Sequence, residues 1–404
     1  MTPCAFHRRV LPLVTSLDDG HTRLGFGRCV EFFTETKRTF PFDVALTDST
    51  AVVLRSYRDE ASISPGTRIV AVGGTPVSTL HDQFLKHTSG ARPAFRRQKF
   101  EGQSDRFKFF LWHVSSMESP FDLTVRGEGG ERNVTVDGVP ADTIGARRRD
   151  DDAPPYAYRS LDDQTGLLTV RSFGAPEDDF LDATFDQIRR AGTEHLIVDV
   201  RDNPGGQSGR ANELLRYLAS SPFVLTDTVA VRASETFKTQ MKQARIPAVV
   251  RWLPVQYLDA QGRAVWGAPE GRVVEMPSEQ ISPHDADERF DGRVSVLVNE
   301  GTFSTATLFA AAVKEWEIGV LVGRETGGPA GTMWAQPVSA RLPNSGLGIL
   351  VASMRFQFGE KSPGWPARGV VPDRRVPRNV RAQIEGRDPI LERVQTRDDS
   401  HASD

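Results

Sequence analysis

The chain has 404 residues, 38% of them hydrophobic and 25% charged, with a formal net charge of −3. That length exceeds one ordinary core and predicts two domains plus connections. The composition suits a soluble globular protein, the charge gives no ground for nucleic acid as a partner, and no apolar run is long enough to span a bilayer.

Two cysteines, Cys4 and Cys29, are too few for a disulfide scaffold or a thiolate metal site and allow at most one bridge. The opening MTPCAFHRRVLPLVTSLDDGH lacks a charged region followed by an apolar one, and it has no cleavage site. It does not read as a secretory signal. The expectation is a cytoplasmic protein, or a chain whose start lies downstream of the true one.

Phe6 to Leu17 predicts a short helix that ends in Asp18-Asp19-Gly20, with His21 next. A histidine beside a glycine turn and two carboxylates is equipped to act as a base, because an acid can orient the ring. The same pattern also suits a surface turn. Ala45 to Val77 reads as a small β module, its short strands separated by turn signals at Pro65-Gly66 and Gly73-Gly74. In Leu80 to Ser119 basic and aromatic residues interleave, but Phe107, Phe110 and Leu111 fall at helical spacing, which predicts a packed amphipathic helix rather than a nucleic-acid surface. Pro120 to Val136 predicts a hairpin, and the charged, proline-ended Arg147 to Pro155 predicts a linker.

A second domain begins at Tyr156. Gly166 to Phe173 predicts a strand, Asp178 to Ala191 an amphipathic helix and His195 to Val200 a second, buried strand, so the two strands should be parallel. Asn203-Pro204-Gly205-Gly206 follows. Glycines there free backbone N–H groups to face an oxyanion or a phosphate, and the absence of a following lysine at P-loop spacing disfavours phosphate. Ala211 to Ser220 predicts a helix. Phe223 to Asp291 reads as short strands and loops without a legible function. Val338 to Phe358 predicts strands around the turn Pro343 to Gly346, and Gly369 to Asp373 leads to a last strand.

The stretch Arg293 to Thr332 organises the rest. Val294 to Val298 is a β-branched run that reads as a buried strand, Asn299-Glu300-Gly301 a sharp turn, and Thr305 to Trp316 a helix headed by Ser304. Gly319 to Val322 predicts another strand, which breaks into a Gly-rich turn from Gly323 to Gly331. A serine at a strand–turn–helix junction displays its hydroxyl where the helix N-terminus favours negative charge. The same position also suits a plain N-cap.

Two resemblances bear on this choice. ISPGTRIVAVGGTPV resembles a PDZ domain, a module that binds extended chain ends by strand addition. The ordered set LDDGHT, LLTVRSF, DVRDNPGG, VLVNEGTFSTATLFAAAV, VGRETGG, LPNS and GVVPD resembles the S41 serine peptidases, which include the C-terminal processing (tail-specific) proteases, tricorn-type peptidases and interphotoreceptor retinoid-binding protein repeats. The resemblance implies an α/β fold: a ClpP/crotonase-like core of stacked parallel strands and helices with an inserted PDZ-like β module. Composition predicts a disordered tail at 386–404. With the linker at 147–155, the resemblance suggests a helical N-terminal segment at 1–40, the PDZ-like module with its helical insert at 41–146 and the catalytic core at 156–385. It places Ser304 at the nucleophile, with Gly205, Gly206 and the Thr305 N–H at the oxyanion hole.

The chain departs from the family twice. The lysine of the Ser-Lys branch is missing from the turn Thr326 to Gly331. Lys314 is no substitute, being about 15 Å along a regular helix, and Lys361 serves only if its loop folds back. The resemblance to the tricorn-like branch, which uses a Ser-His arrangement, therefore makes His21 the candidate base. The acid of that branch has no counterpart at Trp365 to Arg368, which leaves Asp18, Asp19, Glu325 and Glu360 as candidates to orient His21. The expected activity is serine-type endopeptidase on protein or peptide substrates without a metal or organic cofactor. The alternatives are a non-catalytic peptide- or lipid-binding protein on the same fold and, more remotely, a crotonase-like acyl-CoA enzyme.

Overall fold

The computed structural model describes residues 2–58, 63–101, 105–127, 129–148, 154–174, 179–246, 248, 252–258, 260–358 and 368–396. Its elements form three sheets with helices packed on them.

The central sheet has six strands in the order Arg374–Arg375, Val320–Gly323, Arg293–Val298, His195–Asp199, Thr165–Val170 and Tyr156–Ser160. All neighbours are parallel except the last pair, which is antiparallel. The apolar runs that predicted strands are buried on both faces, with Leu196, Ile197, Val198, Val296, Leu297 and Val298 fully enclosed. That pattern is what a parallel sheet covered on both sides demands. Phe180–Ala191 is the crossover helix between the first two parallel strands, and Leu181, Phe185 and Ile188 form its buried stripe. The helix Thr305–Glu315 sits in the largest core cluster with eight of its eleven residues buried, and Phe309 packs on Phe173.

An antiparallel sheet is built from Phe42–Leu46, Ala51–Ser56, Arg68–Val72, Phe121–Gly127 and Gly130–Val136, with Thr75–Pro76 paired to Arg68–Val72. Helices Val77–Lys86 and Arg106–His113 cover it with Leu80, Phe84, Phe107, Phe110 and Leu111. The helical spacing in the basic, aromatic stretch is therefore core packing. A third sheet contains the long hairpin of Thr332–Arg341 and Gly348–Gln357, together with Thr228–Arg232, Val273–Pro277 and the two-residue strand Arg23–Leu24.

Arg23–Leu24 pairs with Ile349 and Leu350, so the segment carrying His21 is fastened to a strand from the far end of the chain. Leu11, Val14 and Leu24 pack on Leu347. Cys4 and Cys29 are disulfide-bonded, joining helix Pro3–Thr15 to helix Arg28–Thr36 and closing the loop that carries His21.

Two sequence expectations need correction. Phe223 to Asp291 contains helices Glu235–Arg245 and Ala260–Gly267 as well as strands. The segment expected to be a disordered tail from 386 onward forms helix Pro389–Gln395, capped by Asp388, with Ile390 buried in a core cluster. Arg201 ties it down through paired hydrogen bonds to Asp199 and Asp388. Residues 397–404 of that segment, and most of the expected linker, lie outside the described residues. No helix among the described residues is long and apolar enough to cross a membrane.

Candidate active site

Two neighbouring parallel strands, His195–Asp199 and Arg293–Val298, run out at the same edge and deliver two loops side by side. Asn299 stitches these loops together. Its amide oxygen accepts from the Asp202 N–H at 2.9 Å, and its amide nitrogen donates to Asp202 Oδ1 at 3.1 Å. Thr302 Oγ1 donates to the Val200 carbonyl at 2.9 Å, and the Phe303 N–H donates to the Asn203 carbonyl at 2.9 Å. Gly301 makes the close approach possible, since a Cβ there would stand 2.3 Å from Asp202 Oδ1.

The second loop ends at Ser304, whose φ is +56° and ψ −127°. Such a conformation is rare and strained for a serine, and it is held by the stitched loops. Ser304 makes no side-chain capping bond. Its Oγ lies 2.9 Å from His21 Nε2 across a sequence separation of 283 residues. The displayed serine, and not the N-cap, is what the geometry contains. Phe303 lies against the His21 ring at 4.7 Å and is itself stacked on Phe95 at 4.3 Å. Gly20 leaves room for this contact, because a Cβ there would meet the Phe303 ring at 2.4 Å.

On the far side of His21, Nδ1 is buried and has no hydrogen-bond partner among the described residues. The neighbouring carboxylate is Asp19, with Oδ1 3.8 Å from Nδ1, an ion-pair distance rather than a hydrogen bond. Asp19 also accepts the backbone N–H groups of His21 at 3.1 Å and Thr22 at 2.7 Å, which folds the turn. Burial raises the Asp19 carboxyl, but interactions with His21 and Thr22 outweigh it and hold the group below its ordinary value. The Asp19 carboxylate is thus kept ionised beside the ring.

The other candidate acids are placed differently. Asp18 pairs with Arg96. Glu325 pairs with Arg92 at 2.8 Å and accepts the Gly369 N–H at 2.8 Å, so it braces the Gly-rich turn against the chain near Gly369. Glu360 and Lys361 lie outside the described residues. Lys314 bonds Asp373 and the Val371 carbonyl, away from Ser304.

The glycine pair also divides. Gly205, at φ +101°, packs so tightly on the serine loop that a Cβ would stand 2.6 Å from Ser304 Cβ and 2.9 Å from Thr305 N. Its own N–H is already donated to Asn203 Oδ1 at 2.8 Å, so it is a spacer and not a free donor. The N–H groups of Gly206 and Thr305 have no hydrogen-bond partner among the described residues. Thr305 Oγ1 donates to the Gly206 carbonyl at 2.8 Å, fixing the two residues to each other. Asn203, Asn299 and Phe303 carry this geometry and were not singled out from the sequence. Their signal was only adjacency to the Gly205-Gly206 and Ser304 turns.

A model of peptidase family S41 matches residues 164–376. This chain belongs to peptidase family S41. The family is one of serine peptidases, and the matched span contains Ser304 and both glycines. A protein of Chlamydia trachomatis serovar D is 25% identical over 238 residues, which are 52% of this chain and 37% of that protein. The chain therefore matches little more than a third of that relative's length. Among solved structures, mature CPAF superposes with a TM-score of 0.65 at 17% identity, covering 97% of this chain and 87% of that one. Mature CPAF complexed with lactacystin gives 0.63 at 16% identity, with 95% and 86% covered. These likenesses bear on the fold, which is a mixed α/β arrangement of several sheets shared with mature CPAF over nearly the whole length.

Proposed function

We propose that this S41 chain is a serine endopeptidase of protein or peptide substrates, with Ser304 as nucleophile and His21 as general base. The observation that carries the reading is the 2.9 Å approach of His21 Nε2 to Ser304 Oγ. It falls within the reach a base needs to take the hydroxyl proton. Ser304 Oγ attacks the scissile carbonyl, and His21 takes the proton and passes it to the leaving amine. The acyl-enzyme then yields to a water activated by the same ring. The N–H groups of Gly206 and Thr305 receive the oxyanion, and such donors contribute about 3 kcal/mol each to transition-state stabilisation. Asp19 orients the ring and favours its charged form during transfer.

In the same reading the central parallel sheet is a ClpP/crotonase-type core running from residue 156 to the helix Pro389–Gln395. The helical segment to residue 40 brings in the base. Residues 41–146, ahead of the 147–155 linker, act as a PDZ-like recognition module for extended chain ends, as in tail-specific processing. The edge strand Gly130–Val136, mostly exposed, suits strand addition. A non-catalytic binding protein has no use for a strained serine within hydrogen-bond reach of a histidine, so the geometry favours the enzyme.

The test is hydrolysis of an unstructured protein substrate by the wild type, Ser304→Ala and Asp19→Asn, followed by mass spectrometry of the products. The reading predicts internal cleavage by the wild type and none by Ser304→Ala. For Asp19→Asn it predicts a rate lower by about ten- to a hundred-fold, less than in a tightly bonded triad because the 3.8 Å contact is loose. Intact substrate with a folded wild type would sink it.

A further inference from the structure

The cavity that exposes Ser304 and His21 has a volume of about 920 Å³. Its lining carries four basic side chains, Arg23, Arg55, Lys99 and Arg171, against three acidic ones, Asp43, Glu101 and Asp202, although the chain as a whole carries a net −3. Arg23 follows the His21 turn on the short strand Arg23–Leu24, and Arg171 follows the strand Thr165–Val170 on the oxyanion side. The next residue, Ser172, donates to the Gly205 carbonyl, which fixes where Arg171 starts. Both arginines are exposed and make no ion pair among the described residues.

Lys99 completes the set from the basic, aromatic stretch. Its ammonium stands 4.2 Å over the Phe95 ring and 5.7 Å from Phe303, the ring that lies against His21. It donates to the Ser89 carbonyl at 2.7 Å. Burial, then repulsion from Arg106 and Arg23, pushes this ammonium well below its ordinary value, so Lys99 feels the charge of Arg23.

The carboxylates of the same cavity are committed inward. Asp43 accepts from Tyr57 and Lys108. Glu101 accepts from the Leu46 N–H and binds Arg378 and Arg97. Asp202 accepts from Gln98 and Asn299. The acids are thus spent on structure while Arg23 and Arg171 line the same cavity as Ser304 and His21 without an ion pair among the described residues, so the cavity has a surplus of positive charge. A surplus of this kind in a concave site favours an anion.

We infer that the cavity beside Ser304 is a carboxylate-binding subsite, in which Arg23 and Arg171, with Lys99 behind them, hold an acidic group of the peptide near its scissile bond. This rests on the peptidase reading above and adds the substrate class to it. The carboxylate is that of an Asp or Glu side chain or of the peptide's own C-terminus. Both present the same two oxygens to an arginine fork.

The test uses the full chain carrying Ser304→Ala, so that binding is read without turnover. Fluorescein-labelled decapeptides carry a single Glu, or Gln, walked through an Ala/Leu/Ser background, each as the free acid and as the C-terminal amide. Anisotropy titrations are expected to show Glu peptides binding about ten-fold or more tightly than their Gln counterparts at one position of the walk. The gap should narrow as salt is raised and close when Arg23→Gln and Arg171→Gln are added. A gap that follows amidation and not Glu, and closes in the same double variant, supports the subsite and identifies the terminal carboxylate as its ligand. Equal affinities throughout, no binding at millimolar peptide, or a preference that survives the double variant would overturn it. Turnover of the same peptides by the wild type separates the two claims. Cleavage with no charge preference removes the subsite and keeps the peptidase, whereas preference with no cleavage does the reverse.

Discussion

Replacing Gly205 by alanine perturbs the site without touching a reacting atom. Its φ of +101° is a conformation that L residues resist, at a cost of about 1–2 kcal/mol. The added Cβ would stand 2.6 Å from Ser304 Cβ, 2.9 Å from Thr305 N and 3.0 Å from the Phe303 carbonyl oxygen. All three belong to the backbone or the stem of the nucleophile loop, so no flexible side-chain end can swing away. The loop must retreat by several tenths of an ångström or more. Ser304 then leaves the 2.9 Å contact with His21, and a misplacement of about 1 Å costs roughly 10²-fold in rate. The assay is kcat/KM on a peptide substrate alongside thermal unfolding. Gly209→Ala is the control, because nothing lies within 4 Å of a Cβ there. A folded Gly205→Ala with kcat/KM within about two-fold of wild type would refute the idea that close packing of these loops sets the nucleophile.

Other outcomes follow from the same contacts. Phe309→Ala removes a fully buried ring from the nucleophile helix and should cost about 3–5 kcal/mol in denaturant unfolding. Glu325→Ala breaks the pair with Arg92 and frees the Gly369 N–H. It should lower stability by about 1–3 kcal/mol in the same experiment while leaving an activated serine that still reacts with an active-site probe. His7 and His113 are buried against each other with ring nitrogens 3.0 Å apart. Burial lowers His7 to about 4 and, with His7 nearby, lowers His113 to about 3. Their imidazoles are neutral in the fold while the unfolded chain takes up protons below 6.5. Stability is therefore full above that value and is lost as pH falls toward about 3, by roughly 2–4 kcal/mol near pH 5. Urea midpoints near pH 7 and near pH 5 check it, and His113→Leu should flatten the dependence.

Much of the site was legible because its local chemistry is unusual. A β-branched run, a sharp turn and an Ala-rich helix headed by a serine specify the strand–turn–helix around Ser304, and the glycines after His195–Asp199 mark a loop whose backbone must come close to something. The pairing of His21 with Ser304 came from a motif and its order in the chain, since no periodicity encodes a contact across 283 residues. What sequence reasoning missed was the division of labour between adjacent groups. Whether Gly205 or Gly206 offers its N–H depends on which one the Asn203 amide captures. Whether Asp19 or Glu325 faces the imidazole depends on Arg92, which lies in the other half of the chain and claims Glu325. Helices Glu235–Arg245 and Ala260–Gly267 went unseen because their apolar residues are few and their partners lie on the third sheet. The helix Pro389–Gln395 hid within a charged stretch. It is held by Ile390, with Leu391 and Val394 packed on the same cluster, and by the Arg201–Asp388 pair.

The decisive experiment is labelling by a fluorophosphonate probe in the wild type, Ser304→Ala and His21→Ala, with each variant shown to be folded by thermal unfolding. An activated serine with His21 as its base predicts labelling of the wild type, located on Ser304 by peptide mapping, and loss of labelling in both variants. Labelling that survives His21→Ala would remove the histidine from the mechanism and turn attention to Lys361. A folded wild type that takes no label would contradict catalysis itself.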